Sequence, residues 1–253
     1  MTTNQDDGSS QRACLCIFAH PDDEVFRCGG TLALLAQAGA RVHVVSLTSG
    51  QAGSCGEPPI CQPEELGAIR KEELRCACRT LGLDEPSVFD FQDGGLEQSD
   101  RSCVEAVIAE KIQSLRPEVI ITWPADGLSG HCDHCAASAR TKAVFERMKT
   151  GNPFLKSLYY LAVPDSIAKR LGMDQLHSTP DNEISVVIDA LPVWRQKKAA
   201  IMCHRTQAQS SPILAQDEAT QQLFLGVEYF EREGNQDGAD LLTETYISNG
   251  AFL

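Results

Sequence analysis

No apolar run in this 253-residue chain approaches the ~20 residues needed to cross a bilayer. The opening residues, MTTNQDDGSSQR, are polar and acidic and carry no apolar signal region, so a cytoplasmic location is expected and residues 1–11 are expected to be disordered. Positive charge is scarce as well: 22 Lys and Arg stand against 35 Asp and Glu, a formal net charge of −13. No basic stripe reverses that balance locally, which argues against nucleic acid as a partner, as the missing span argues against a membrane. Internal repeats and low-complexity linkers are absent too, so residues 1–253 read as a single domain, long enough for a sizeable core.

Cysteine, by contrast, is plentiful. The eleven are odd in number, scattered, and several sit in apolar surroundings, including Cys14, Cys16, Cys76 and Cys78. Reduced thiols serving as small hydrophobes are expected rather than a disulfide framework. Cys55 and Cys61 share one loop-like segment, GSCGEPPICQPEE, where oxidation would bring a pair within reach.

Strand and helix patterns alternate along the chain. CLCIFAH (14–20) reads as a buried strand, VFRCGGTLALLAQAG (25–39) as a helix, and RVHVVSLTS (41–49) as a second strand at βαβ spacing. A Gly/Pro-rich loop over 49–63 precedes an amphipathic helix stopping at Gly82. SVFDF, the helix SCVEAVIAEKIQSLR, the continuously apolar EVIITWP and a helix from Cys135 to Lys149 follow. Beyond them SLYYLAV and EISVVID read as strands, and residues 190–207 as one helix. The expected fold is α/β: a Rossmann-like, mostly parallel sheet with helices on both faces and a mixed C-terminal extension over 209–253.

In such sheets ligands bind beyond the carboxyl ends of the strands. Three polar clusters fall there: His20–Glu24, Thr48–Gly53 and Asp126–His134. HPDDE and HCDH together hold the donors of a catalytic metal centre: three ligands from His and carboxylate, a further carboxylate as base and a further histidine as acid. Each cluster also has a plainer reading, since acids favour the first turn of any helix and HCDH suits a polar loop entering one. A compact structural zinc site from His131, Cys132, His134 and Cys135 is disfavoured, because four ligands within five residues wrap poorly around one tetrahedral ion.

The segments AHPDDEVFRCGGTL, GAIRKEELRCACRTLGL, DFQDGGL, SGHCDH and VVIDALPVWRQKKAAIMCHRTQ, in that order, resemble the LmbE-like or PIG-L-like zinc-dependent N-deacetylases. The likeness runs from about residue 12 to 208 and implies a Rossmann-like hydrolase that removes acetyl groups from N-acetylglucosamine-type sugars or their conjugates. It implies one Zn2+ per chain, with Fe2+ as the alternative in the cell, held by His20, Asp23 and His134. It also implies Asp22 as the general base for the metal-activated water. His131 would stabilise the oxyanion or protonate the leaving amine, with Asp133 orienting it. Arg70 and Asp93 match sugar-contacting positions; an Arg70–Glu73 pair along the helix and a plain turn at Asp93 are the local alternatives. His204 falls in the matching CHRTQ segment and is expected either to line the site or to complement a helix end.

Glu24 is expected to support the site by hydrogen bonds, and His43 and His177 to be structural. Two departures from the family pattern stand out: Cys132 where many relatives have proline, and Ser129 at the substrate rim where some carry a tyrosine. The expected partner is a small amino-sugar substrate; the sequence leaves the oligomeric state open, a homo-oligomer included. Two other functions stay open: an amidase for a larger N-acyl group, and a non-catalytic sugar-binding or redox-sensing protein.

Overall fold

The computed structural model describes residues 11–173, 175–234 and 238–248. Residues 1–10 of the segment expected to be disordered lie outside that set, as do 249–253 of the C-terminal extension.

Strand β1 (Ala13–Phe18) is buried along its whole length, as its unbroken apolar run requires of a central strand. Helix α1 (Asp23–Gln37) returns the chain to β2 (Arg41–Thr48), parallel to β1 with Cys14 opposite Val42. Helix α2 (Leu66–Leu81), closed by a left-handed Gly82, leads to β3 (Ser87–Phe91) on the outer side of β2. The chain then crosses over. Helix α3 (Arg101–Leu115), capped by the Asp100 carboxylate, delivers β4 (Val119–Thr122) to the other side of β1, with Val119 opposite Cys14. Helix α4 (Cys132–Lys149) and β5 (Ser157–Ala162) complete the parallel part.

After a short α5 (Asp165–Arg170), the chain forms β6 (Val186–Asp189), α6 (Trp194–Ile201), α7 (Arg205–Ala208), α8 (Glu218–Leu225), β7 (Val227–Arg232) and α9 (Leu241–Ser248). The sheet order is β3-β2-β1-β4-β5-β7-β6, with β7 antiparallel to both of its neighbours. Helices α1, α2 and α6 pack on one another, as do α3 and α4, which follows from crossovers leaving β1 in opposite directions. The α/β architecture is therefore as expected. Its switch point is the crevice between the carboxyl ends of β1 and β4.

Three features differ from expectation. The helix read over 190–207 is broken: α6 ends at Ile201, and α7 starts at Arg205 after His204. Strand β7 lies in the stretch expected as a mixed C-terminal extension, where the sequence pattern marks no strand, and it enters the sheet between β5 and β6. Its inward residues are Glu228 and Phe230, so an acid occupies a core position and masks the alternation. Finally, Cys76 and Cys203, expected as reduced thiols, are joined in a disulfide between α2 and the break after α6, with Cα atoms 5.7 Å apart. Cys55 and Cys61 are free.

Candidate active site

The turn after β1 carries HPDDE into the start of α1. Asp22 caps that helix at φ 114°, a left-handed conformation costly for a residue with a side chain. The turn brings three donors together with the start of α4: ligand atoms of His20, Asp23 and His134 all lie within 4.8 Å of one another. Each outward-facing atom of the three already has a partner. Asp23 Oδ2 accepts from the backbone N–H groups of Ala19 (3.1 Å) and His20 (3.0 Å) and from Trp123 Nε1 (3.0 Å). That leaves Oδ1 facing His134 Nε2 at 3.5 Å. His134 Nδ1 lies 3.2 Å from the Gly127 carbonyl, and His20 Nε2 lies 3.2 Å from Asp133 Oδ2 and 3.1 Å from Asp93 Oδ1.

With those outer nitrogens donating, His20 Nδ1 and His134 Nε2 turn lone pairs toward each other across 3.3 Å, beside a carboxylate oxygen. Such an electron-rich triangle calls for a cation, and two imidazoles with one carboxylate form the donor set of a catalytic zinc or ferrous centre. The same demand shows in the protonation of His20. Burial pulls its imidazole down, but the hydrogen bonds to Asp133 and Asp93 and the Asp23 charge outweigh it and lift it to about 10. Asp23 is driven well below the usual carboxylate range by His134 and His20, against the opposing effect of burial.

Trp123 is a residue that sequence reasoning missed. Its indole stacks on the His134 ring (centroids 4.0 Å apart, planes 6° apart) while its N–H holds Asp23. The available signal was a donor-only side chain closing an otherwise aliphatic strand, EVIITWP. Gly127 is needed for a similar reason: a Cβ there would come 2.7 Å from His134 Cβ, and its φ is +67°.

Asp133 does not orient His131 through its carboxylate. That group is fully buried, accepting from Gly94 N (2.6 Å) and Leu96 N (2.9 Å) while facing His20. The turn after β3 points its amides at the second residue of α4, so the carboxylate is captured by backbone. Burial opposes ionisation there, and the His20 and amide hydrogen bonds still bring Asp133 down to about 2. His131 is instead the N-cap of α4, its Nδ1 accepting from the Asp133 N–H at 3.2 Å. That contact places the ring proton on Nε2. The ring lies 4.8 Å from His20 and 4.7 Å from His134, centroid to centroid, and burial with these neighbours lowers its basicity.

Asp22 lies beside the triangle with its side chain 20% exposed and Oδ2 3.2 Å from the Arg70 guanidinium. Burial raises the carboxyl to about 6, against the pull of Arg70. Arg70 pairs with Asp22 rather than Glu73; it also donates to the Gly50 (2.9 Å) and Pro21 (2.5 Å) carbonyls and is only 4% exposed. Asp93 bridges His20 and the Ala52 N–H (2.8 Å), tying the loop after β2 to the centre. Ser129 is exposed on the loop before α4, flanked by left-handed Leu128 and Gly130.

His204 does not line the site. It is fully buried behind it, Nε2 2.7 Å from Glu24 Oε1, and Glu24 in turn accepts from the Asp22 N–H. Glu24 thus supports the site by hydrogen bonds, as expected. His43 faces Ser87, whereas His177 reaches the site's rim, its N–H donating to the Leu128 carbonyl. The compact His131–Cys132–His134–Cys135 set is not among the metal-capable groups of the described residues.

The model of one protein family, PIG-L, GlcNAc-PI de-N-acetylase, matches residues 15–145, just over half of the chain and all of the site's ligand-bearing segments. The chain belongs to the PIG-L family. Among PIG-L relatives, it is 30% identical to a 1D-myo-inositol 2-acetamido-2-deoxy-alpha-D-glucopyranoside deacetylase of Rhodococcus jostii, over 80% of this chain and 84% of that protein. Its fold is that of N,N'-diacetylchitobiose deacetylase from Pyrococcus horikoshii (TM-score 0.65, 21% identity, 87% of this chain and 83% of that one). It is equally that of GalB, a 4-carboxy-2-hydroxymuconate hydratase from Pseudomonas putida (TM-score 0.65, 21% identity, 91% and 99%). The fold therefore does not by itself dictate the chemistry, and the side chains must.

Proposed function

We propose that this chain is a metal-dependent N-deacetylase that hydrolyses the acetamide of an N-acetylglucosamine-type sugar or its conjugate. The carrying observation is the triangle of His20 Nδ1, Asp23 Oδ1 and His134 Nε2, its outer atoms fully partnered and a base-capable carboxylate, Asp22, beside it. Deacetylase relatives of the R. jostii kind favour acetyl over a bulkier acyl group and catalysis over mere binding.

His20, Asp23 and His134 would hold one Zn2+, or Fe2+, which when bound would supply Lewis acidity toward the amide carbonyl and make water a nucleophile near neutral pH. Asp22 takes the proton of the attacking water and returns it to the departing amine, which cannot leave as an anion. Arg70 favours the ionised form of Asp22 before the attack, the form that can take that proton. His131, with its proton on Nε2, donates to the oxygen that gains charge as the carbonyl turns tetrahedral. Asp133 and Asp93 hold His20 in the tautomer that frees Nδ1. The exposed Ser129 and the loop after β2 form the rim available to the rest of the sugar conjugate.

Residues 11–248 act as one catalytic unit in this reading. No described helix is long and apolar enough to cross a membrane. We place the protein in the cytoplasm, where its nine free cysteines, two of them exposed, would stay reduced and the Cys76–Cys203 bridge would be the exception.

The test is acetate release from free and conjugated N-acetylglucosamine by zinc-loaded, iron-loaded and chelated protein, with N-acyl analogues of increasing size alongside. Release that needs metal and falls with acyl length is expected. Equal rates after chelation, or preference for the long acyl group, would reject the proposal.

A further inference from the structure

Asp22 needs support. Its backbone sits at φ 114°, and its carboxylate is held near the metal ligands at the end of a tight turn. A non-glycine residue stays in that conformation only when its surroundings over-determine it. Two side chains reach it from behind. Arg70 on α2 grips the turn by the Pro21 carbonyl and the Asp22 carboxylate. Glu24, fully buried, takes the Asp22 N–H on Oε2 at 3.0 Å and His204 Nε2 on Oε1 at 2.7 Å.

The break between α6 and α7 makes the second arm available. Were the helix continuous, residue 204 would point along a helix face; as the N-cap of α7, His204 instead sits under the start of α1. The segment that carries it is fastened to α2 twice, by the Cys76–Cys203 disulfide and by Glu73, which accepts from Thr206 N (2.9 Å) and Oγ1 (2.7 Å). Both arms therefore belong to one cross-tied unit, and neither His204 nor Glu24 has surface with which to touch substrate.

Resting on the deacetylase reading above, we propose that Glu24 and His204 are positioning residues for the general base: the His204–Glu24 pair clamps the Asp22 amide and so sets the direction of its carboxylate. The pair acts on the rate of proton transfer. It does not act on metal binding or substrate affinity, because Asp23 and the rim are held by other groups.

The test compares His204→Ala, His204→Gln and Glu24→Ala with wild type in zinc-loaded protein. Expected is a kcat loss of about 10–100-fold in His204→Ala and Glu24→Ala, with KM and zinc content essentially unchanged. Partial recovery is expected in His204→Gln, whose amide N–H can still donate to Glu24. Hydrogen exchange at the Asp22 amide supplies a readout independent of turnover: protection should be lost in Glu24→Ala and reduced in His204→Ala, while α1 stays protected. Unchanged kcat and unchanged Asp22 protection in folded His204→Ala would overturn the proposal. So would a kcat loss that merely tracks lost zinc. If the wild type releases no acetate, the deacetylase reading fails, and the amide exchange alone still decides whether the clamp exists.

Discussion

Asp133 shows how one residue's partners reassign its task. With its oxygens committed to the amides of Gly94 and Leu96 and to His20, it steadies one of the proposed metal ligands. Asp133→Asn is therefore expected to weaken zinc affinity about 10–100-fold while leaving the kcat of fully loaded enzyme nearly intact, as chelator competition and saturating-zinc kinetics would show. Trp123→Phe, which keeps the stacking but loses the N–H to Asp23, should weaken zinc in the same sense by about tenfold. Asp22→Asn belongs to the opposite class: zinc content unchanged, acetate release down by at least about a hundredfold.

These residues were legible in the sequence to different degrees. HPDDE and HCDH stood out because acids and histidines at strand ends are unusual, and the triangle forms from them. The roles of Asp133, Trp123 and His204 were not legible, since each depends on a backbone amide or buried face contributed by a distant segment.

At the scale of elements, β1 to β5 and α1 to α4 read to within about three residues, most of them because their burial is uniform or periodic. The breaks did not read. Helix α6 stops at Ile201, and the break before α7 lets His204 meet Glu24, a partner lying 180 positions away in sequence. Cys203, beside His204, closes a loop of 127 residues with Cys76. In the chain-entropy account, Cys203→Ser should lower stability by roughly 4–5 kcal/mol, seen as a reduced urea midpoint that wild type matches only when a dithiol is present. Neither cysteine is a partner of His20, Asp23 or His134, so zinc affinity should be unaffected.

For the whole molecule, the mixed part of the sheet is held by buried charge. Lys197 and Glu228 are paired at 2.7 Å with essentially no exposure, and Glu228 also takes the N–H groups of Gly30 and Thr31 in the middle of α1. Lys197→Met removes the cation but leaves that carboxylate in the core, and should cost about 3–5 kcal/mol in denaturant titration.

Two other acids add pH dependence. Glu118, hydrogen-bonded to Arg12 and Lys156, and Asp240, hydrogen-bonded to Ser157 and Tyr159, are both lowered despite the opposing effect of burial. A lowered carboxyl stabilises the fold above its unfolded value and loses that contribution as pH falls through its folded one. Metal-free protein should accordingly lose thermal stability from about pH 4 downward, with little change between about pH 5 and 7 from these two groups.

The place of β7 bears on how the chain is made. Strand β6 is hydrogen-bonded to β7 alone, and β7 is encoded some forty residues later, close to the end. A nascent chain emerging from the ribosome holds the proposed metal ligands early, in residues 20–134, yet carries β6 without a neighbour until residues 227–232 emerge. The edge of β5 stays open over the same interval. The sheet thus closes last at the end remote from the chemistry, and a chain cut at residue 208 would keep every ligand while exposing two unpaired strand edges to aggregation.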